Sequence, residues 1–260
     1  MKANLVVVVL AALFFFARVA RADEVAPALE GADLRVRASL LLRELMNAKP
    51  EPKLRGIYAA FDPSVSDPIA MAACDDDGDY VIVMSDAMLR LAGFIARLAT
   101  EDDANHGHKL DDYADHLAKN QTPGKRLLPP AAGAYTAGAG DDDRWAAIMR
   151  FLYARELAHL RAGELVCPNP TVTKERGDDD WTPAEAAAAR TSASALYPGK
   201  QAERDANAID ELGTNDGALA LLQFFASFEA AGPRSLPSYL PLHPRSAARL
   251  LAIRTKGARH

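Results

Sequence analysis

Apolar positions recur along this chain with two different periods, and the switches between them divide it into elements. In ADLRVRASLLLRELMNA (32–48), Leu34, Leu41, Leu42 and Met46 fall at helical intervals, which predicts an amphipathic helix stopped by KPEP. LRGIYAAFDP (54–63), PIAMAAC (68–74) and YVIVMS (80–85) are short β-type runs separated by turn residues, the last introduced by the turn DDDGD. SDAMLRLAGFIARLA returns to helical spacing, with Ser85 placed as its cap. QAERDANAIDELG (201–213) and NDGALALLQFFASFEAAG (215–232) read as two more helices, and PSYLPLHPRSAARLLAIR (237–254) as a loop and a last helix. A helix, a few strands and then helices make an α+β layout.

Two polar stretches interrupt this pattern. Residues 100–144 mix acids, Gly and Pro around one expected short helix near 109–119, and so read as an insert serving as a functional lid or a mobile loop. CPNPTVTKERGDDDW (167–181) is a second polar link, followed by TPAEAAAARTSASAL, where Thr182, Pro183 and Glu185 suit a helix opening.

The start of the chain changes the setting. Lys2, the apolar run LVVVVLAALFFFA and then Ala20-Arg21-Ala22 describe a cleavable secretory signal over 1–22. The run is shorter than the ~20 residues that span a bilayer, so no stable span is expected after cleavage; an uncleaved N-terminal anchor is the alternative. This places the protein in the periplasm or outside the cell, with 23–260 as one domain. Removal of Lys2, Arg18 and Arg21, and of no acid, takes the formal net charge from −5 to −8. An acidic domain without a basic stripe does not suit nucleic acid. In an oxidising compartment Cys74 and Cys167 can form a disulfide, with free thiols as the alternative.

Candidate chemistry centres on FLYARELAHLRAGEL (151–165), where Arg155-Glu156-Leu157-Ala158-His159 stands one residue away from His-Glu-x-x-His. Positions four apart share a helix face, so two such histidines can grip one zinc ion while the Glu holds the attacking water. Arg155 cannot ligate a cation, because a guanidinium has donors, no acceptor and a permanent charge. Taken alone, Arg-Glu-x-x-His is usually a chance pattern in which His159 is a hydrogen-bonded core or boundary histidine.

Further segments follow in order. FDPSVSDPIAMAACDDDGDYVIVMSDAML, the 151–163 helix, QAERDANAIDEL and LPLHPRSAARLLAIR together resemble the HtpX-like and CAAX-prenyl-protease family of gluzincin zinc metallopeptidases, especially its BepA-like branch. The likeness spans about 34–254 and departs from the family mainly at the 100–144 insert. It implies a small mixed sheet packed on an active-site helix. It puts the family's first ligand histidine on Arg155, its catalytic glutamate on Glu156 and its second histidine on His159. The third-ligand glutamate, four residues before Asp205, falls on Gln201, and Glu203 is rotated about 200° away on the same helix. His243 falls where relatives carry a histidine able to reach the metal. His106 and His108 could stand in for lost ligands or be solvated loop histidines.

The resemblance then implies a pseudopeptidase with no cofactor. Polypeptides would bind in the former cleft by strand addition beside the edge strand DYVIVMS, through Val81 and Val83. Arg155 would pair with Glu156 or Asp205 in place of the metal. The alternative is a working zinc endopeptidase with a rebuilt ligand set of His159 and His243 plus Gln201, Glu203 or an insert histidine, and Glu156 as base. In a third reading the motifs are coincidence on an exported helical domain.

Overall fold

A computed structural model describes residues 31–121, 140–168, 179–180, 182, 184–185, 188 and 200–257. The expected signal segment lies outside the described residues, as does most of the expected helix after Thr182. At the start of that helix the Thr182 N–H donates to the Glu185 carboxylate at 2.6 Å and the Glu185 N–H donates to Thr182 Oγ1 at 3.3 Å, a reciprocal cap.

The described chain is mixed α+β and mostly helical. Helix α1 (Gly31–Ala48) and a short 3-10 turn (Pro52–Leu54) precede strands β1 (Tyr58–Asp62), β2 (Ala70–Cys74) and β3 (Tyr80–Ser85). Helices α2 (Asp86–Asn105), α3 (Lys109–Lys119) and α4 (Asp141–Arg161) come next, then the two-residue strand β4 (Asp179–Asp180). Helices α5 (Gln201–Leu212), α6 (Asp216–Ala230), the one-turn α7 (Tyr239–Leu242) and α8 (Ser246–Gly257) complete it.

The sheet runs β2-β3-β1-β4. β2 and β3 form an antiparallel hairpin that pairs Ala72 with Ile82, whereas β1 lies parallel to β3 with Ala60 opposite Val83. Gly78, at φ +85°, turns the hairpin in the left-handed region that glycine tolerates. The period-two alternation separates the two sheet faces. Phe61, Ala72, Ile82 and Met84 join the main core with the helices, while Val81, Val83, Tyr58, Met71 and Leu242 form a smaller core on the opposite face.

This overturns one expectation. The strand DYVIVMS is not an edge: β3 is hydrogen-bonded to β2 on one side and β1 on the other, and Val81 and Val83 are fully buried. An interior strand has no unpaired ladder groups to offer, so neither residue can receive an added strand. Among the described residues the edge on this side of the sheet is β2.

Ser85 joins the sheet to α2. Its Oγ accepts from Met88 N–H at 3.1 Å as the helix cap, accepts from Ile69 N–H at 3.0 Å, and donates to the Asp67 carbonyl at 2.8 Å. Helix α4 runs through the middle of the helical layer against α1, α2, α5 and α6. Trp145 Nε1–H fastens it to α2 by donating to the Leu89 carbonyl at 3.1 Å. Helix α6 reaches α4 closely only because residue 217 is glycine, since a Cβ there would lie 2.2 Å from the Ala147 carbonyl oxygen.

The described parts of 100–144 are neither lid nor loose loop. Residues up to Asn105 finish α2, α3 occupies the expected 109–119, and Asp141 begins α4. Helix α3 buries Leu110, Ala114 and Leu117 and packs Tyr113 against Phe224 of α6 at 6.0 Å between ring centres. The polar surface of this stretch is the outer face of an amphipathic helix. Cys74 and Cys167 are disulfide-bonded, stapling the end of β2 to the segment after α4. No described helix is long and apolar enough to cross a membrane.

Candidate functional site

Three separated pieces of chain bring Arg155, Glu156, Gln201, Asp205 and His243 together. The first piece is α4, which is buried from Phe151 through Leu160 and therefore carries Arg155, Glu156 and His159 inside the protein. The second is α5, where Gln201 and Asp205 are four apart and face inward, while Glu203 points to solvent. The third is the turn between α7 and α8. It is pinned to the start of β2 because Ser238 N–H and Oγ donate to the Asp67 carboxylate, both at 2.7 Å, and Tyr239 N–H donates to the Pro68 carbonyl at 3.0 Å. One helical turn later His243 enters the core and packs against Tyr239, with ring centres 4.4 Å apart and planes tilted by 48°.

The guanidinium of Arg155 lies at the centre of this group with no surface exposure. Its Nε donates to Asp205 Oδ1 at 2.7 Å, and Nη1 donates to Glu156 Oε1 at 3.2 Å and to His243 Nδ1 at 2.6 Å. Its Nη2 donates to the Gln201 side-chain oxygen. Gln201 Nε2 passes the chain on by donating to the Leu242 carbonyl at 3.1 Å. Because an arginine can only donate, His243 Nδ1 is the acceptor, and the ring proton sits on Nε2, which donates to the Ala70 carbonyl at 2.7 Å. Glu156 reaches the same strand, where Ala72 N–H donates to its Oε2 at 3.0 Å.

A second arginine completes the charge pattern. Arg249 Nε and Nη2 grip both oxygens of Asp205 at 2.6 and 2.9 Å, and Nη1 donates to the His243 carbonyl at 3.1 Å. Burial alone would raise the Asp205 carboxyl, but the guanidiniums of Arg155 and Arg249 outweigh it and hold the group below the ordinary range. The same burial, reinforced by both arginines, pushes the His243 imidazole far down, so the ring is neutral. The buried group thus holds two carboxylates, two guanidiniums, one neutral histidine and one amide, and its formal charges cancel. Sequence reading assigns no role to Arg249, although it closes the His-Pro-x-x-x-x-Arg spacing of the quoted segment.

His159 is next to this group but bonded elsewhere. Its Nδ1 lies 2.7 Å from Glu164 Oε2, and Arg204 Nε donates to the same carboxylate oxygen at 2.7 Å. Burial lowers the His159 imidazole, against the opposing pull of Glu156 and Glu164. His106 and His108 are both exposed, around the turn between α2 and α3. His108 lines a 630 Å³ cleft with Asp102, Asp103 and Arg144 that includes no residue of the Arg155 group.

These residues do not fit a zinc ion. A catalytic zinc needs three protein lone pairs and an open fourth position. Here the His243 lone pair, the Gln201 oxygen and both Asp205 oxygens already accept from guanidiniums, and Glu156 accepts from Arg155 and Ala72. Among the described residues no three His, Cys, Asp or Glu side chains form a group able to hold a metal. A 330 Å³ cleft between the starts of α5 and α8 touches the outer sides of Gln201 and Arg249, but Glu156, His159 and His243 do not line it.

No family model, no curated protein and no solved structure matches this chain.

Proposed function

We propose that this chain is an exported, metallopeptidase-like protein that is catalytically silent and holds extended polypeptides beside its former active site. The observation that carries this reading is the position of Arg155, whose fully buried guanidinium is shared by Glu156, Gln201, Asp205 and His243. A permanent cation at that point repels a divalent ion and supplies no lone pair. Glu156, the residue placed to activate water, has both oxygens bonded inside the protein. What the scaffold retains is an edge strand, β2, next to this group, and main-chain bonding along an edge strand is how a protein takes an extended chain without cutting it. Ala70 and Ala72 are buried beneath α4 and α7, so an extended chain reaches this edge only where those elements part from it.

The test is metal content and proteolysis on one preparation. Purified protein, loaded with zinc and then dialysed, is expected to retain none in stoichiometric amount and to leave casein intact. Retention of about one zinc per chain that is lost in His159→Ala, together with casein cleavage, overturns the reading in favour of an endopeptidase with a remodelled ligand set.

A further inference from the structure

The outer edge of β2 is occupied by side chains of the Arg155 group. As the last strand on its side of the sheet, β2 turns some of its N–H and C=O groups away from β3. On either side of Met71, the Ala70 carbonyl accepts from His243 Nε2–H at 2.7 Å and the Ala72 N–H donates to Glu156 Oε2 at 3.0 Å. In a parallel strand pair, one residue of the incoming strand gives its N–H to the carbonyl of residue i and its C=O to the N–H of residue i+2. His243 and Glu156 supply that donor and that acceptor. Both are held by a single atom, Arg155 Nη1, at 2.6 Å from His243 Nδ1 and 3.2 Å from Glu156 Oε1.

We propose that Glu156 and His243, clamped by Arg155, form an intramolecular substitute for an added strand, an autoinhibitory contact that keeps β2 closed to an extended polypeptide. This rests on the polypeptide-binding reading above and assigns its control to the same three residues. The occupant excluded is a main chain of any sequence, because the two capped groups belong to the backbone. Arg155 acts here as a positioning residue: it touches neither Ala70 nor Ala72 in these bonds, but it fixes the two side chains that do.

The experiment uses the purified protein with its disulfide intact, with hydrogen exchange at the Ala72 amide as one readout and binding of fluorescein-labelled casein as the other. Glu156→Ala removes the acceptor and is expected to speed Ala72 exchange, and to tighten casein binding, by about tenfold, the worth of one such hydrogen bond. Glu156→Gln keeps one acceptor oxygen for the Ala72 N–H but turns its amide NH2 toward Arg155 Nη1, and is expected to speed Ala72 exchange and tighten casein binding less than Glu156→Ala does. Should Glu156→Ala fail to fold, Glu156→Asp keeps the charge for Arg155 while withdrawing it from Ala72, and has the expected effect of Glu156→Ala. In either opened variant, adding Ala72→Pro deletes the outward amide without breaking the ladder to β3 and is expected to return casein binding to the wild-type level. Unchanged Ala72 exchange in a folded opened variant overturns the proposal, and so does a gain in casein binding that survives Ala72→Pro. Faster exchange with no casein binding by any variant leaves the cap standing and removes the polypeptide-binding reading instead.

Discussion

Arg155 donates to His243 Nδ1 at 2.6 Å across 88 positions of sequence, tying α4 to the turn before α8 inside a fully buried group. A metal ion joins distant segments by taking lone pairs from each of them. A guanidinium does the same with up to five hydrogens directed in one plane. Arg155 uses that geometry to reach α4, α5 and the α7–α8 turn at once, so it serves as a cross-link.

Truncating that cross-link should therefore be severe. Arg155→Ala leaves Glu156 and the Gln201 oxygen without their guanidinium partner, leaves Asp205 with Arg249 alone, and opens a cavity beside them. Breaking one side of a buried charge network destabilises by about 3–5 kcal/mol. Urea denaturation should show that loss as a lower midpoint with an unchanged slope. A loss below about 1 kcal/mol, the range of an exposed pair, would mean the guanidinium is solvated.

Gln201 is matched to Arg155 by chemistry as well as by shape. Its amide oxygen accepts from Arg155 while its amide nitrogen donates to the Leu242 carbonyl. Gln201→Glu removes the second bond, sets a carboxylate against that carbonyl and adds a third acid to a group with two guanidiniums. The expected loss is about 1–3 kcal/mol, the penalty for an unsatisfied buried polar group, and zinc should not restore it while Arg155 remains. Thermal melts with and without zinc check both parts.

Element order was readable from the sequence because it depends on local periodicity. The β-branched run in YVIVMS, the cap at Ser85 and the i, i+4 spacing of Gln201 and Asp205 are properties of residues close in sequence. The place of β3 inside the sheet was not readable, because strand order is set by which pieces of chain pack together and leaves no mark on an evenly apolar strand. The short helix at 109–119 was readable, but the polar composition around it pointed to a lid or loop, whereas it belongs to the solvent face of α3 while Leu110, Ala114 and Leu117 carry the contact. Arg249 closes the His-Pro-x-x-x-x-Arg spacing, but its role was not readable, because an arginine on an Ala/Leu helix reads as a solvated side chain until Asp205 is brought to it.

Acidification should weaken the fold in two stages. The folded-state pKa of His243 is depressed by burial and the nearby arginines, so the unfolded chain takes up a proton near pH 6.5 that the folded chain refuses. The stability is fully present above that pH and falls as pH drops below it, by up to about 1.4 kcal/mol per pH unit for one such group. His159, lowered in the same direction, adds to this stage. Asp205 is depressed by Arg155 and Arg249 despite its burial, so its share is lost only at more acid pH, below the ordinary carboxylate range. Denaturation midpoints measured at pH 7.5, 6.0 and 5.0 should fall in that order. A flat profile over this range would mean that His243 becomes protonated inside the folded protein.

The disulfide should matter for the site as well as for overall stability. Cys74 ends β2, the strand whose edge meets Glu156, and Cys167 follows α4, the helix that carries Glu156, across a separation of 93 residues. Closing a loop of that length restricts the unfolded chain by about 4–5 kcal/mol in the chain-entropy account. For a domain of this size reduction should lower the melting temperature by roughly 10–15 °C. Because the bond fastens β2 to the segment that leaves α4, its loss should act first on the contact between them. The Ala72 amide is therefore expected to exchange faster in the reduced protein than amides at the centre of β3, at temperatures where the fold as a whole persists. Hydrogen exchange with and without reductant, and on a Cys74→Ser/Cys167→Ser variant, separates the cases: selective acceleration at Ala72 assigns the bond to the β2–α4 contact, whereas uniform acceleration confines its effect to the unfolded chain.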